Sequence, residues 1–391
     1  MPALNHRAEP LSDSWIRSMT QVSRQHEAID LAQGFPDHQP PQVVLDELAR
    51  IAHDGPHQYA ISCGSPRLRE ALARKQEAFR GTPVDPEREI VVTCGATEAM
   101  LVALLSVVNP GDKVAIFTPY YENFGPDSII AGATPVYIPL REPTFEFDAD
   151  EVEAAFKKGA KALILCNPSN PSGRSFTHHE MDVLAALAQK YDAWVITDEV
   201  YEHIVYPPHE HISMAALPGM WDRTITCSSL SKTYSMTGWR IGYLIGPPAV
   251  VSVAKKIHDF VTVGASSILQ EAATPALDLP PEYYASLQET YIQRRDLFLN
   301  GLDDLKVTTS RTEPEGGYYV LVDIADYGYD SDEDFCVDLA EKVGVGAVPG
   351  SMFFHEPTNH LIRLNFARDE AVLTNALNRL SEMSKLRRAR F

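Results

Sequence analysis

Residues 229–243 carry the sequence Ser229-Leu-Ser-Lys232-Thr-Tyr-Ser-Met-Thr-Gly-Trp-Arg240-Ile-Gly-Tyr243. The stretch follows the β-branched run 224–226 and leads into the apolar run 242–245, so a strand is predicted on each side. A partly desolvated lysine amine is a nucleophile toward a carbonyl carbon. Hydroxyl groups and a guanidinium bind a phosphate dianion. The pattern around Lys232 therefore predicts a site for a phosphate-bearing aldehyde cofactor.

The same string is similar to the cofactor-lysine signature of class I and II pyridoxal-phosphate-dependent aminotransferases. Further family landmarks follow in order between Asp30 and Phe366. The resemblance implies fold type I, the aspartate aminotransferase fold, an α/β arrangement in which a large domain has a mostly parallel sheet between helices and a smaller domain is α+β. It also implies that Lys232 holds pyridoxal 5'-phosphate as a Schiff base. Within the class, the chain most resembles the branch of kynurenine, methionine and glutamine aminotransferases.

Two further segments lie at the carboxyl ends of predicted strands, where α/β sheets bind their ligands. Asp198 and Tyr201 follow the strand 194–197. By resemblance, Asp198 keeps the pyridine nitrogen of the cofactor protonated and Tyr201 donates to its phenolic oxygen. The residue type alone favours a helix cap after a strand, whereas the position at the carboxyl end of a parallel strand favours a ligand site. Asn170 belongs to the turn sequence Asn167-Pro-Ser-Asn-Pro-Ser-Gly173, and the resemblance assigns it to the phenolic oxygen and the substrate.

A phosphate cup is predicted from Gly95-Ala96-Thr97 together with Ser229 and Arg240. The first three residues lie between the strand 90–93 and a helix that continues through Met100. A small-residue loop that opens a helix presents free N–H groups and the positive end of the helix dipole to an anion.

Tyr121 ends another predicted strand. By resemblance it stacks on the cofactor ring, with Tyr120 as the alternative, although an aromatic residue at a strand end also serves core packing. Asp127 or its neighbour Ser128 is expected to approach this region, in an arrangement that the sequence does not define.

Arg363 is a charged residue within the apolar, strand-like run 362–366. A planar guanidinium binds a carboxylate through two parallel hydrogen bonds. By resemblance, Arg363 holds the substrate α-carboxylate with the help of Gly34; the alternative is a solvent-facing arginine on an edge strand. Tyr59 matches a tyrosine that reaches the cofactor phosphate of the neighbouring subunit, which implies a homodimer.

Short β-branched strands alternate with helical patterns from about Glu89 onward, which indicates crossover units and a largely parallel, buried sheet. The predicted strands are 90–93, 114–117, 136–138, 162–165, 194–197, 224–226, 242–245, 318–322 and 360–365. Pro280-Pro281 opens a predicted helix that runs from Glu282 to about Leu305. We expect an N-terminal segment over 1–40, a large cofactor-binding domain over 41–285 and a small C-terminal domain over 286–391.

The chain has 391 residues, of which 45% are hydrophobic and 22% charged, as in an ordinary globular protein of more than one domain. Its net charge of −19 repels phosphate backbones, so no nucleic-acid partner is expected. Five scattered cysteines without CxxC spacing favour reduced thiols, and no metal is expected. Residues 1–13 contain no apolar signal core, and the apolar run 100–108 is too short to span a bilayer. A cytoplasmic protein without membrane contact is expected.

We expect an aminotransferase that moves the amino group of an L-α-amino acid, aromatic or sulfur-containing, to a 2-oxo acid, with Lys232, Asp198 and Tyr201 as catalytic residues. The segment 258–264 is expected by position to line the substrate pocket. The same groups would also serve β-elimination, decarboxylation or oxidative deamination, because motifs do not encode the geometry that decides the fate of the carbanion. A cofactor-sensing regulator is disfavoured by the acidity of the chain and by an N-terminus too short for a DNA-binding module.

Overall fold

The computed structural model describes Asn5 and residues 9–388 other than positions 12, 82 and 309. Positions 1–4, 6–8 and 12 lie outside the described residues. They belong to the predicted N-terminal segment and to the stretch 1–13 in which no signal core is expected. The strands are β1 (Ile29–Asp30), β2 (Ile90–Thr93), β3 (Lys113–Thr118), β4 (Thr134–Pro139), β5 (Ala160–Cys166), β6 (Trp194–Asp198), β7 (Thr224–Ser229), β8 (Gly242–Ile245), β9 (Tyr319–Asp323), β10 (Val345–Gly346), β11 (Val348–Pro349) and β12 (Leu361–Asn365). The α-helices are α1 (Trp15–Gln25), α2 (Gln42–Asp54), α3 (Pro66–Arg80), α4 (Gly95–Val107), α5 (Phe124–Ile130), α6 (Ala149–Lys157), α7 (His178–Lys190), α8 (Pro248–Thr262), α9 (Ser267–Ala273), α10 (Pro281–Leu305), α11 (Asp332–Asp338) and α12 (Glu370–Leu380).

Strands β2 to β8 form one seven-stranded sheet in the order β2-β8-β7-β6-β5-β3-β4. Strand β8 is antiparallel to its neighbours β2 and β7, and the other pairs are parallel. Every residue of β2, β7 and β8 is buried, as expected for a sheet with both faces covered. The predicted α/β fold with a mostly parallel sheet is confirmed.

Helices cover both faces of this sheet. On one face, α4 and α8 pack on the sheet with Ala103, Ile116 and Val251 in the shared core. On the other face, α6 and α7 pack with Phe156 and Leu184 in a second core. The apolar run 100–108 is thus mostly the buried second half of α4, which continues beyond the predicted Met100. Among the described residues, no helix combines the length and the apolar character needed to cross a membrane.

A second, antiparallel sheet has the order β11-β12-β9. Strand β9 begins at Tyr319 and β12 at Leu361, one residue later than predicted, because Tyr319 pairs with Asn365 at one end of the ladder and Leu361 pairs with Asp323 at the other. Helix α10 begins at Pro281, one residue earlier than predicted, since the first turn of a helix makes no use of the missing N–H. Strand β1 pairs in parallel with β10, so this part of the N-terminal segment lies beside the second sheet.

Candidate active site

A cavity of about 560 Å³ opens where the carboxyl ends of β5, β6 and β7 face the second sheet. Parallel strands bring their carboxyl ends to one edge of a sheet, so residues far apart in sequence surround one space. The predicted site residues that line it are Gly34, Ala96, Thr97, Tyr121, Asn170, Asp198, Tyr201, Ser229, Lys232, Arg240 and Arg363.

Lys232 is half-buried in the loop between β7 and β8, and its Nζ donates to the carbonyl oxygen of Gly34 at 3.1 Å. Burial lowers the pKa of Lys232 to about 8, although the Asp198 carboxylate acts in the opposite direction. The neutral fraction of this amine near neutral pH is therefore far larger than that of an ordinary lysine, and the neutral amine is the form that attacks a carbonyl carbon.

Asp198 is the last residue of β6, directly opposite Cys166 of β5. Its Oδ1 accepts a hydrogen bond from the backbone N–H of Val200 at 3.3 Å. Burial raises the pKa of Asp198 to about 6, and the Val200 N–H and the charge of Lys232 oppose that shift. At neutral pH the side chain is mostly a carboxylate, and it needs a proton or a positive charge opposite it in the cavity.

Two buried tyrosines form another wall of the cavity. Tyr201 donates to the hydroxyl oxygen of Tyr319 at 3.2 Å, and burial holds the pKa of Tyr201 well above its ordinary value. Tyr121 lines the cavity, whereas Tyr120 is stacked on Tyr137 with ring centroids 5.3 Å apart. Tyr121, and not Tyr120, is thus the tyrosine of this pair that faces the cavity.

Arg363 is fully buried in β12. Its Nη1 donates to Asn170 Oδ1 at 2.8 Å and its Nη2 to the carbonyl oxygen of Ala32 at 2.9 Å, while Nε finds no hydrogen-bond partner in the described part of the chain. The guanidinium also lies 4.2 Å from the ring centroid of Tyr319. No carboxylate of the described residues pairs with this buried cation, so it favours an anionic ligand in the cavity.

One end of the cavity has the chemistry of a phosphate cup. Ala96 and Thr97 open α4, and Ser229 and Arg240 lie opposite them. A Cβ atom on Gly95 would lie 2.2 Å from Arg240 Nη2, so only glycine lets the guanidinium approach the helix start this closely. Gly95 has a φ of +81° and is buried at the start of α4, and its contact with the cofactor stays a prediction.

The donor set as a whole fits pyridoxal phosphate. The cup offers helix N–H groups, hydroxyls and a guanidinium for the phosphate. Asp198 offers a carboxylate for the pyridine nitrogen and Lys232 an amine for the aldehyde. Arg363, whose Nε has no hydrogen-bond partner among the described residues, can bind a further anion beside the cofactor.

Two predicted positions lie elsewhere. Tyr59 is 87% exposed and outside the cavity of its own chain. The expectation that the segment 258–264 lines the pocket is wrong within this chain. His258 is buried, and its Nδ1 lies 2.7 Å from Glu98 Oε1, beneath the first turn of α4.

The structure adds cavity residues that the sequence did not single out. Ser14 and Arg17 at the start of α1 lie at the cavity wall, and the Ser14 hydroxyl donates to Glu122 Oε1 at 2.8 Å. The only sequence signal was the serine N-cap of α1. Tyr319 lies between Tyr201 and Arg363. The sequence feature that could have identified it is the Tyr-Tyr pair after Gly316-Gly317.

Asp127 on α5 also lines the cavity. It is almost completely buried, its Oδ2 has no hydrogen-bond partner among the described residues, and burial raises its pKa to about 7. With this pKa, Asp127 is about half-ionised near neutral pH. A cation close to the carboxyl group would favour its ionised form.

Comparisons with known proteins point to aminotransferases, as the cavity residues do. The family model described as aminotransferase class I and II matches residues 26–380. The methionine aminotransferase of Escherichia coli K12 is 36% identical over 95% of this chain and 96% of its own length. Kynurenine–oxoglutarate transaminase 3 of Mus musculus is 34% identical over 93% of this chain and 86% of its own. The structure of N-succinyldiaminopimelate aminotransferase from Mycobacterium tuberculosis superposes with a TM-score of 0.93 at 34% identity, covering 97% of this chain and all of that one.

Proposed function

We infer the roles of the cavity residues from the premise that this chain belongs to the class I and II aminotransferase family and is a pyridoxal-phosphate-dependent aminotransferase. When bound, the cofactor supplies the aldehyde carbon that takes the amino group and a ring that delocalises negative charge from the substrate Cα.

Lys232 is the proposed carrier of the cofactor and the proposed base. Its lowered pKa of about 8 leaves a useful fraction of the amine unprotonated near neutral pH. The unprotonated amine can bond to an aldehyde and, once released, can take the Cα proton of an amino acid held in the cavity. Asp198 is proposed to keep the pyridine nitrogen protonated, with Tyr201 and Asn170 at the phenolic oxygen. Ala96, Thr97, Ser229 and Arg240 are proposed to hold the phosphate, and Tyr121 to face the ring.

Arg363 carries the proposal that the substrate is an α-amino acid. The single most informative observation is that its buried guanidinium, in the same cavity as Lys232, has an unpartnered Nε and no carboxylate partner among the residues that the structure describes. A planar guanidinium binds a carboxylate bidentately. Asn170 and the backbone of Gly34 are proposed to complete the carboxylate and amino-group contacts.

We propose that the amino donor has an aromatic or sulfur-containing side chain. Ile16, Phe35, Tyr121 and Tyr319 give the cavity apolar walls beside the proposed carboxylate site. The relatives named for methionine and kynurenine fit that preference.

A half-reaction screen tests the proposal. The purified holoenzyme is mixed with each L-amino acid, and the visible absorption of the cofactor is followed together with the released 2-oxo acid. Methionine and aromatic amino acids should give the fastest conversion to the amine form of the cofactor. Release of ammonia or carbon dioxide without that form would indicate elimination, oxidation or decarboxylation instead. In Lys232→Ala the cofactor should no longer be fixed to the protein by borohydride; retained labelling would identify another lysine as the carrier.

We also propose a homodimer in the cytoplasm. Tyr59, Ile61 and Phe260 are apolar or aromatic and exposed by 87%, 59% and 91%, respectively, which suits burial against a second copy. Tyr59 is proposed to reach the cofactor phosphate of that copy. Five free cysteines fit a reducing compartment.

A further inference from the structure

A buried cluster of charged side chains lies directly behind the turn that carries Asp198 and Tyr201. Glu199 and Glu202 belong to this turn, yet their carboxylates contact α3 instead of the cavity. Arg80, the last residue of α3, joins the two: its Nη2 lies 2.6 Å from Glu199 Oε2 and also contacts Glu202 Oε2. One guanidinium thus clamps both ends of the turn that presents two proposed catalytic residues.

The remaining partners of the two carboxylates are also buried. Glu199 accepts from Thr197 Oγ1 at 2.8 Å and lies 2.9 Å from His211 Nε2. Although burial works against ionisation, Arg80 and His211 hold the pKa of Glu199 below its ordinary value.

On the other carboxylate, Lys75 Nζ contacts Glu202 Oε1, Tyr243 donates to the same oxygen at 3.3 Å, and His203 Nε2 lies 3.6 Å away. Although burial again works against ionisation, Lys75 and Arg80 hold the pKa of Glu202 well below its ordinary value. The network therefore holds two negative and two positive charges, and its net charge is close to zero.

Glu199, Glu202 and His211 bring ligand atoms within 4.8 Å of one another, a spacing that also suits a metal ion. Arg80 and Lys75 already neutralise these carboxylates, and a divalent cation placed among them would be repelled at close range. The cluster is therefore better described as an ion-pair network than as a metal site.

We propose that Arg80 is a positioning residue for the reaction: it fixes the turn 198–202 so that Asp198 and Tyr201 face the cavity, and it balances the buried charge beside Asp198. The inference rests on the proposed role of Asp198 at the pyridine nitrogen. Removing one partner of a buried ion pair leaves an uncompensated charge in the interior. That charge changes the proton affinity of neighbouring groups, including those of the cavity.

The test compares Arg80→Gln with Arg80→Lys in the holoenzyme. The pH titration of the visible cofactor band reports the proton on the Lys232 nitrogen. Loss of the cation leaves excess negative charge, so Arg80→Gln should raise the titration midpoint by about half a pH unit or more. It should lower kcat about tenfold with little change in KM, since Arg363 still binds the substrate. Arg80→Lys should recover most of both effects.

Two further variants make the test specific. Glu199→Gln removes a negative charge and should move the midpoint downward, the opposite direction. Arg69, on the same helix and only 1% exposed, donates to the carbonyl oxygen of Gly64 at 3.1 Å and pairs with Glu87. Arg69→Gln is therefore the matched control, which should lower Tm and leave the midpoint unchanged.

The proposal is overturned if Arg80→Gln lowers Tm alone and leaves the midpoint and the kcat per bound cofactor as in the wild type. If Arg80→Gln does not fold, the Glu199→Gln titration decides, and an unchanged or raised midpoint overturns the proposal. Failure of the proposed function is distinguishable, because the borohydride-fixed cofactor would then persist in Lys232→Ala.

Discussion

At the scale of single residues, Lys232 and Asp198 have proton affinities shifted toward each other by the same physical cause. Burial disfavours the charged form of each group, which lowers the pKa of Lys232 to about 8 and raises that of Asp198 to about 6. Near pH 7 the amine is mostly protonated and the carboxylate mostly ionised. A modest change of environment is enough to transfer a proton to or from either group, as proton-transfer catalysis requires.

Asp198→Ala should leave the cofactor bound through the phosphate cup and impair proton abstraction, because an unprotonated pyridine ring is a poor electron sink. We expect kcat to fall by about 100-fold or more with a much smaller change in KM. Steady-state kinetics at saturating cofactor, with Asp198→Glu as the charge-conserving comparison, provide the measurement. A near-normal kcat with weakened cofactor affinity alone would reduce Asp198 to a cap on the end of β6.

Arg363→Ala should reduce kcat/KM for every amino-acid substrate by about two powers of ten or more, since truncating one partner of such a pair costs about 2–5 kcal/mol and 1.4 kcal/mol is tenfold. Arg363→Lys should recover only part, because an ammonium does not reproduce the planar fork. Simple amines without a carboxylate should react equally slowly with the wild type and both variants. Intact amino-acid turnover in Arg363→Ala would mean that carboxylate recognition lies elsewhere.

Asp127→Asn should change the pH dependence of stability. The pKa of Asp127 in the folded protein, about 7, lies above the ordinary aspartate value of 3.8, so the folded protein binds this proton more tightly than the unfolded chain does. Its contribution to stability is therefore fully present below about pH 4, falls as the pH rises toward 7 and is constant above that. Relative to the wild type, Asp127→Asn should gain up to about 4 kcal/mol between pH 4 and pH 8. Urea unfolding at both pH values measures the gain; a difference that is the same at both would contradict the assignment.

At the scale of elements, the phosphate cup depends on how closely β8 passes the start of α4. A Cβ atom on Gly242 would lie 2.2 Å from the carbonyl carbon of Gly95 and 2.5 Å from the backbone nitrogen of Ala96. The backbone of one element must therefore move if Gly242 carries a side chain, and the N–H groups that open α4 would move with it.

Gly242→Ala should destabilise the protein by about 1–3 kcal/mol and weaken cofactor binding at least about tenfold, because the cup loses its geometry. Gly246→Ala, just after the same strand, is the control, since its Cβ would come no closer than 3.3 Å to the nearest atom, Thr224 O. Fluorescence titration of the cofactor-free protein and thermal unfolding measure the two effects. Equal behaviour of the two variants would show that the cup tolerates displacement of β8.

At the scale of the whole molecule, the predicted homodimer makes Tyr59 and Lys232 parts of different chains at one site. Lys232→Ala and Tyr59→Ala homodimers should each have impaired sites. After subunit exchange, a mixed dimer contains one site with both native residues, so about a quarter of all sites should regain wild-type behaviour at limiting cofactor. If Tyr59 acted within its own chain, mixing would restore nothing. Light scattering before and after exchange confirms the assembly state.

The fold class and the order of the central strands along the chain follow from local residue patterns. Strands buried on both faces are short apolar runs between turn residues, and the bounds of β2 and β8 were predicted without error. The ends of β9 and β12, which depend on pairing partners, moved by one residue, and α10 begins one residue earlier, at a proline. Strands β4 and β5 begin two residues earlier than predicted, and β7 ends three residues later, because its ladder with β8 continues to Ser229 opposite Gly242. The cavity residues were predicted from the sequence 229–243 around Lys232 and from the resemblance to class I and II aminotransferases. Both depend on local residue order.

Contacts between distant parts of the chain are not encoded in local residue order and become visible in the folded structure. The contact of Arg80 with Glu199 and Glu202 joins positions more than a hundred residues apart, and each of these residues alone has the sequence signature of a solvated surface charge. Within the described part of the chain, the burial of Asp127 Oδ2 without a hydrogen-bond partner, the approach of Ser14 to Glu122 and the absence of a carboxylate at Arg363 likewise arise from how elements pack. The strength of a charge depends on its distance to other charges and on the water excluded around it, and both are properties of the folded chain.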